Sequence, residues 1–169
     1  MIAGVDFIPL GELPEGVPVA TNGGGYAESM AEHALAMALA AAKRLVLEHE
    51  NLKRGQFNQF ERNRMLAGGL CGIFGFGGIG AATARLMRGI GMRVHAINRH
   101  GRTDQQVDWI GTPERLNELL EAADVSADID PMRTCGEPRR CAISKALSTC
   151  VWCTLRQTRH RLFPDCALP

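Results

Sequence analysis

The longest hydrophobic pattern in the chain is helical and extends from Ala27 to Lys53. Ala, Leu, Met, Glu and Lys dominate this stretch, and all five are strong helix formers. Its apolar residues recur at a spacing that places them on one side of a helix. The pattern therefore predicts one long helix with a buried stripe formed by Leu35, Ala38, Leu39, Ala42, Leu45 and Val46.

The residues on either side of this helix carry weaker patterns. Ahead of it, "VPVA" at residues 17–20 predicts a short strand, and the turn "TNGGG" leads from that strand into the helix. Behind it, the polar segment "RGQFNQFERNR" predicts a loop.

From Leu70 onward the pattern changes to strand, helix and strand. "LCGIF" at residues 70–74 predicts a short buried strand, and the tight turn "GFGGIG" follows it. The next residues, "AATARLMRGI", predict a helix with Ala82, Leu86 and Ile90 on one face, and Gly91 is a stop signal. "MRVHAI" at residues 92–97 then predicts a second strand, which completes a βαβ unit.

A second unit begins with "VDWI" at residues 107–110, which predicts a third short strand. Thr112 is suited to the N-cap of the following helix, and Pro113 to its first position, where a missing N–H does no harm. Asp124 and Val125 should begin the next parallel strand, yet a continuous apolar run does not follow. The helix that begins after Thr112 is predicted to have an apolar face formed by Leu116, Leu119 and Leu120.

The composition also changes near Val125. Residues 126–169 carry seven Lys and Arg against four Asp and Glu, and they hold five of the six cysteines. The whole chain of 169 residues has a formal net charge of only +1. This balance excludes the basic surface expected of a nucleic-acid-binding protein. No signal peptide or membrane-spanning run is visible, so the sequence predicts a cytoplasmic protein without a membrane partner.

The glycine-rich turn is the strongest candidate for chemistry. Gly75, Gly77 and Gly80 have the G-x-G-x-x-G spacing between a predicted strand and a predicted helix. Such glycines allow a tight turn, a close approach of the backbone to a pyrophosphate, and close packing of helix and strand. The alternative is a turn used only for packing. The candidate cofactor-binding residues of the turn are Gly75, Phe76, Gly77, Gly78, Ile79 and Gly80.

The residue expected to meet the cofactor's ribose is not acidic. Asn98 lies at the end of the second predicted strand, 18 residues after Gly80, and Arg99, His100 and Arg102 follow it. A carboxylate there would hold a 2′-hydroxyl and repel a 2′-phosphate, whereas Asn with nearby arginines accepts the phosphate. The cofactor is therefore predicted to be NADP or NAD, with NADP favoured. The alternative is that these arginines are only solvated loop charges.

Together these elements predict the α/β fold class. The expected architecture is a partial Rossmann-like doubly wound parallel sheet with a long N-terminal linking helix.

The residues also resemble a known family, the D-isomer-specific 2-hydroxyacid dehydrogenases. Three blocks carry the resemblance: "AGVDFIPLGELPEGVPVATNGGGYAESMAEHALAMALAAAKR", "LAGGLCGIFGFGGIGAATARLMRGIGMRVHAINRHG" and "LNELLEAADV". The resemblance implies an oxidoreductase that transfers hydride between a nicotinamide cofactor and a 2-hydroxy or 2-oxo acid. It also implies a homodimer formed through the helix from Ala27 to Lys53. Residues 1–25 would be the remnant of a substrate-binding domain, residues 26–125 an incomplete dinucleotide-binding domain, and residues 126–169 an atypical tail.

The catalytic residues that the resemblance implies are not found. The family's Arg, Glu and His follow the point that matches Val125, and nothing in residues 126–169 matches them. His160 has no matching neighbourhood, so no catalytic residue is assigned. The chain is therefore expected to be inactive alone. The alternative is a dinucleotide-binding interaction module that resembles corepressors related to these dehydrogenases.

Three interpretations of the tail stay open. A frameshift near codon 125 accounts for the abrupt loss of periodicity. A zinc site is a second interpretation, because Cys150 and Cys153 form a C-x-x-C pair, but no second regular pair supports it and no metal ligand is assigned. A disordered or partner-bound tail is the third.

Overall fold

The computed structural model describes residues 10–20, 22–60, 63–129 and 152–155. A 3₁₀ turn at Leu10–Glu12 precedes the main elements, and another at Pro113–Arg115 comes directly before the last helix. The helices are α1 (Ala27–Ala42), α2 (Leu45–Lys53), α3 (Gly78–Gly89) and α4 (Leu116–Ala122). The strands are β1 (Leu70–Phe74), β2 (Arg93–Ile97), β3 (Trp109–Gly111), β4 (Val125–Asp128) and β5 (Trp152–Leu155).

The strands form one sheet in the order β3-β2-β1-β4-β5. The first four are parallel, with Cys71 of β1 opposite Val94 of β2 on one side and Val125 of β4 on the other. The last strand, β5, runs antiparallel to β4. The α/β class and the parallel sheet predicted from the sequence are confirmed.

One face of the sheet packs against α1 and α3. Small side chains line this layer, and Ala31, Ala34 and Ala38 of α1 are completely buried. Because alanines let helices approach closely, α1 lies directly against α3, and a salt bridge between Glu28 and Arg85 joins their exposed sides. Cys71, Ile73, Val94, Ala96 and Val125 belong to the same cluster as Ala38, Ala42, Ala84 and Met87.

The other face of the sheet packs against α4. Leu119 is 1% exposed. A Cβ added to Gly72 of β1 would lie 3.1 Å from the Cγ of Leu119. Glycine in the central strand therefore lets α4 approach the sheet closely. Of the three leucines predicted for this face, Leu119 is buried and the other two are partly buried.

The prediction of one helix from Ala27 to Lys53 is wrong, because the helix is interrupted between Ala42 and Leu45. Arg44 adopts a left-handed backbone with φ of 56°. Arg64, far along the chain, caps the first helix: its N–H donates to the Ala42 carbonyl, and its own carbonyl accepts from Lys43 Nζ at 2.9 Å. The predicted stripe consequently ends at Ala42, and Leu45 and Val46 are 54% and 75% exposed.

The other differences are smaller. Residues 17–20 form no strand, and Val17 and Val19 are exposed, since no strand among the described residues pairs with them. The third strand begins at Trp109, two residues later than predicted. Helix α3 begins at Gly78, inside the glycine motif. Thr112 precedes the 3₁₀ turn, but its side chain makes no cap hydrogen bond.

The parallel strand expected at Val125 forms, and it continues to Asp128. It thus includes the first residues that the sequence assigned to the tail, while the three-domain division itself stays a prediction. Most of that tail, including Cys150 and His160, lies outside the described residues. The residues on which the frameshift and zinc interpretations depend therefore lie mostly outside them as well. Within the described ranges, no helix is long and apolar enough to cross a membrane.

Candidate dinucleotide-binding site

The glycine turn begins at the carboxyl end of β1. Gly75 has φ of +93°, a conformation that L side chains rarely adopt. The N–H groups of Gly75 and Phe76 both donate to the carbonyl of Ile97, at 3.2 and 3.1 Å. Ile97 is the last residue of β2, so the turn is tied to the end of the neighbouring strand.

The next two motif glycines have opposite surroundings. A Cβ added to Gly80 would lie 2.5 Å from the Gly75 carbonyl oxygen, which no real side chain tolerates. A Cβ added to Gly77 would meet nothing within 4 Å. Gly80 is therefore required for packing, while Gly77 leaves an open approach to the backbone. Gly80 thus has the packing role that the spacing predicted, while the contact of Gly77 with a pyrophosphate stays a prediction.

Helix α3 presents its N-terminus to this open space. Gly77 is its N-cap residue and has an extended backbone, and Gly78 is the first helical residue. The first N–H groups of a helix have no intrahelical acceptor and carry a partial positive charge. Such a terminus is a ready site for a phosphate.

A cavity of about 460 Å³ extends from the glycine turn to the loop after β2. From the predicted set it is lined by the turn residues together with Asn98, Arg99 and His100. It is also lined by residues that the sequence did not assign to the site, namely Gly24, Phe74, Ile97, Pro113 and Ile129. The structure thus brings nine of the ten candidates to one cavity, and Arg102 is the one that does not line it.

The Asn98 side chain organises the loop that follows it. Its Oδ1 accepts hydrogen bonds from the backbone N–H groups of His100 and Gly101, at 3.0 and 2.7 Å. Its Nδ2 donates to the carbonyl of Arg102 at 2.9 Å. Arg102 therefore contributes a backbone atom to this loop. Because Arg99 and His100 are exposed at the cavity, the loop presents a guanidinium group and an imidazole ring to a ligand.

No carboxylate lines this cavity among the residues that the structure describes.

The residues that sequence reasoning missed come from distant parts of the chain. Gly24 belongs to the "TNGGG" turn before α1, and a Cβ on Gly78 would lie 4.0 Å from its Cα. Pro113 and Ile129 follow β3 and β4. Their position at the carboxyl edge of a parallel sheet is the one signal that could have found them.

The pKa shifts lie outside the cavity. Burial lowers the pKa of His95 in β2, and the nearby charge of Arg93 acts in the same direction. The hydrogen bond that Arg85 donates to the Glu28 carboxylate raises the pKa of Arg85, and the charge of Glu28 adds to that effect. Neither group faces the space between the turn and the loop.

A parallel sheet with a glycine turn at the first strand and a cavity at its carboxyl edge defines a dinucleotide-binding α/β protein. The model of the D-isomer specific 2-hydroxyacid dehydrogenase NAD binding domain matches residues 35–129, more than half of the chain. The chain therefore belongs to the D-isomer specific 2-hydroxyacid dehydrogenase family, whose members are oxidoreductases that use a nicotinamide cofactor.

Individual relatives agree with this assignment. The chain is 32% identical over 127 residues to a glyoxylate reductase of Korarchaeum cryptofilum, covering 72% of this chain and 38% of the relative. It is 30% identical over 124 residues to a hydroxypyruvate reductase of Thermotoga maritima, covering 72% and 39%. Among solved structures, a glycerate dehydrogenase related protein from Thermoplasma acidophilum is 40% identical with a TM-score of 0.64, covering 77% and 45%. The chain thus spans less than half the length of these relatives.

Proposed function

We propose that this chain binds a nicotinamide dinucleotide in the cavity between the glycine turn and the Asn98 loop. The observation that carries the proposal is the pairing of an open Gly77 with the N-terminus of α3 at the cavity wall. The N–H groups of Gly78 and Ile79 would meet the pyrophosphate, and the Asn98 loop would meet the adenosine ribose. A bound nicotinamide supplies the hydride acceptor or donor of the family's reaction.

The cofactor preference that we propose is NADP over NAD. Asn98 carries no carboxylate that would hold a ribose 2′-hydroxyl and repel a 2′-phosphate, and both ends of its amide are hydrogen-bonded within its own loop. Arg99 and His100 are exposed beside it and would interact favourably with a 2′-phosphate.

Titration calorimetry with NADP⁺ and NAD⁺ tests both statements. We expect tighter binding of NADP⁺. The variant Asn98→Asp should reduce the ratio of the two affinities by about tenfold, because a carboxylate repels the 2′-phosphate. Asn58→Asp adds the same charge in an exposed loop distant in sequence from the cavity and is the matched control. Equal affinities in the unmodified chain would contradict the preference, and no binding of either dinucleotide would contradict the site.

We propose further that the chain does not reduce 2-oxo acids by itself. Its relatives carry the names glyoxylate reductase and hydroxypyruvate reductase, so small 2-oxo acids are the substrate class that we expect of a full-length member of the family. The charged or polar side chains at the cavity all belong to residues 98–100, on the ribose side, among the described residues. General acid–base catalysis needs a proton donor within hydrogen-bond reach of the substrate carbonyl.

Turnover is tested by mixing the chain with NADPH or NADH and glyoxylate or hydroxypyruvate, and following the loss of reduced nicotinamide. We expect cofactor binding without turnover. Measurable turnover would contradict inactivity and would also exclude the non-catalytic interaction module. Dinucleotide-dependent capture of a partner protein without turnover would favour that module.

The cytoplasm is the location that we propose, and fractionation of cells that express the chain tests it.

We also propose a homodimer formed through α2 and the residues that follow it. Helix α2 contains no buried residue, although it carries Leu45, Val46 and Leu52. These side chains are 54%, 75% and 56% exposed, and Phe57 and Phe60 beyond the helix are 72% and 94% exposed. Contiguous exposed apolar side chains mark an interaction surface, and a second copy of the chain would cover this one.

Light scattering coupled to size-exclusion chromatography tests the dimer. The unmodified chain is expected to elute with the mass of two copies, and Val46→Lys with the mass of one. Gln106→Lys introduces the same charge at an exposed polar position in the loop before β3, outside that segment, and should leave the mass unchanged. A monomeric unmodified chain, or equal masses for the two variants, would contradict the interface.

A further inference from the structure

The outer edge of β4 is the most unusual feature of the sheet. In a doubly wound sheet with strand order 3-2-1-4, the next position holds another parallel strand. Here that position holds β5, residues Trp152–Leu155, and it runs in the opposite direction. Parallel strands need a long crossover, whereas an antiparallel neighbour does not. The tail therefore supplies a strand to this edge in the orientation that requires no further crossover helix.

The direction of the backbone groups of β4 can be derived from its contact with β1. The N–H of Asp124 donates to the Leu70 carbonyl of β1 at 2.9 Å. N–H groups alternate between the two sides of a strand, so those of Val125 and Ala127 point away from β1. Without another strand, these two residues would present unpaired donors and acceptors at the edge of the sheet.

The register of β5 matches this alternation. Val125 stands opposite Leu155, and Ala127 stands opposite Cys153. In an antiparallel pair, opposite residues either exchange both of their hydrogen bonds or exchange none. Because Val125 and Ala127 face β5, their partners Leu155 and Cys153 are the residues that exchange hydrogen bonds. Thr154, opposite Ser126, is a residue whose N–H faces the outside.

We propose that residues 152–155 form a substitute edge strand, which docks from the same chain onto β4 and blocks pairing of this edge with a second copy. The recognition is made by main-chain donors and acceptors of Val125 and Ala127. The register pairs all four residues of β4 with residues 152–155, so the main chain of this segment covers the whole strand. The segment contains no proline, and its attachment to the same chain raises its effective concentration at the edge.

Two proline variants of the full chain test the proposal. Proline removes an N–H and is tolerated in an edge strand only where that N–H faces outward. Cys153→Pro should therefore release β5, while Thr154→Pro should leave it in place. The readout is amide hydrogen exchange of Ala127, with Ile73 and Ala96 as reference amides inside the sheet. We expect Ala127 to exchange at least about tenfold faster in Cys153→Pro than in the unmodified chain, and Thr154→Pro to match the unmodified chain.

Each outcome decides for or against the substitute strand. Faster exchange confined to Cys153→Pro supports it, even if Ile73 and Ala96 also lose protection in that variant alone. Equal effects of the two prolines, an effect confined to Thr154→Pro, or an unprotected Ala127 in the unmodified chain would overturn it. In the unmodified chain, protection of Ala127 that increases with protein concentration would also overturn the proposal, because the strand beside β4 would then come from a second copy. None of these readouts depends on cofactor binding.

Discussion

Two regions of this molecule differ in how residue size relates to burial. Between α1 and α3 the buried residues are small, and Ala31, Ala34 and Ala38 are completely enclosed. Along α2 and the loop behind it the residues are large and apolar, yet Val46 is 75% exposed and Phe60 is 94% exposed. Burial in this chain therefore follows the position of a residue in the fold, and hydrophobicity alone does not predict it.

The difference also separates two kinds of task. Small residues in the first region let α1 pack closely against α3, and the N-terminal residues of α3 line the cavity. Large apolar residues in the second region gain nothing from the fold of one copy, because no element of the described chain covers them. The first region should therefore be sensitive to added volume, and the second should be insensitive to removed volume.

The largest effect is expected at Gly80. Gly80→Ala would place a Cβ 2.5 Å from the Gly75 carbonyl oxygen, a backbone atom that cannot rotate away. The strain should reduce the free energy of unfolding by about 3 kcal/mol and weaken dinucleotide binding, since the turn must shift. Urea denaturation and calorimetric titration measure the two effects.

Gly89→Ala is the matched control for this substitution. Gly89 lies at the other end of α3, and a Cβ there would meet nothing within 4 Å. Alanine is a better helix former than glycine, so this variant should be unchanged or more stable by about 0.5 kcal/mol. Equal stability of the two variants would contradict the close packing of the turn.

A second test adds volume to α1 on its two sides. Ala38→Leu would insert three carbons at a position that is 0% exposed and should cost about 2 kcal/mol of unfolding free energy. Ala36→Leu adds the same atoms on the exposed side of the same helix and should change stability by less than about 0.5 kcal/mol. Urea denaturation of both variants gives the comparison. Similar losses would mean that α1 does not present its alanine face to the sheet and α3.

The third test removes volume from the exposed region. Val46→Ala deletes two methyl groups that one copy of the chain leaves in solvent, so the unfolding free energy should change by less than about 0.5 kcal/mol. The measurement is made at a protein concentration low enough to keep the chain monomeric. A loss above 1 kcal/mol, the size expected for a buried methyl deletion, would show that α2 is covered within a single copy.

The sequence predicted the elements whose signals are local. The strands β1 and β2 and helix α3 follow from short apolar runs, helical spacing and the glycines between them. The cavity residues of the glycine turn, of the start of α3 and of the Asn98 loop were found for the same reason, since a known spacing connects them. Pro113 and Ile129 were missed because only the sheet order brings them to Gly77.

The failures share a physical cause, which is contact between distant residues. Residues 43 and 44 contain neither glycine nor proline, so nothing local ends α1 there; the backbone of Arg64 does. "VPVA" has a strand-like composition, but no strand in the described part of the chain pairs with it. Conversely, β5 comes from a segment without periodicity, and it is a strand because the edge of β4 is available to it.

The smallest predicted effect concerns His95, which is neither fully buried like the alanines between α1 and α3 nor exposed like the apolar residues of α2. It is partly buried on β2, where its ring lies 5.4 Å from that of Trp109, and Arg115 lies over the Trp109 ring at 4.7 Å. Burial lowers the pKa of His95 and Arg93 adds to this effect, while Asp108 and Glu118 oppose it. The unfolded chain therefore takes up this proton at a higher pH than the folded chain does.

The direction of the pH dependence follows from that difference. The contribution of neutral His95 to stability is complete above the unfolded pKa of about 6.5, and it is lost as the pH falls below that value. Between pH values of about 7.5 and 5.5, the unmodified chain should lose more unfolding free energy than His95→Gln. His49→Gln, on the exposed side of α2, controls for the general effect of removing an imidazole. If His95→Gln loses as much stability as the unmodified chain, burial of this ring does not oppose its protonation, and the face of the sheet under α4 is more open to water than the face under α1 and α3.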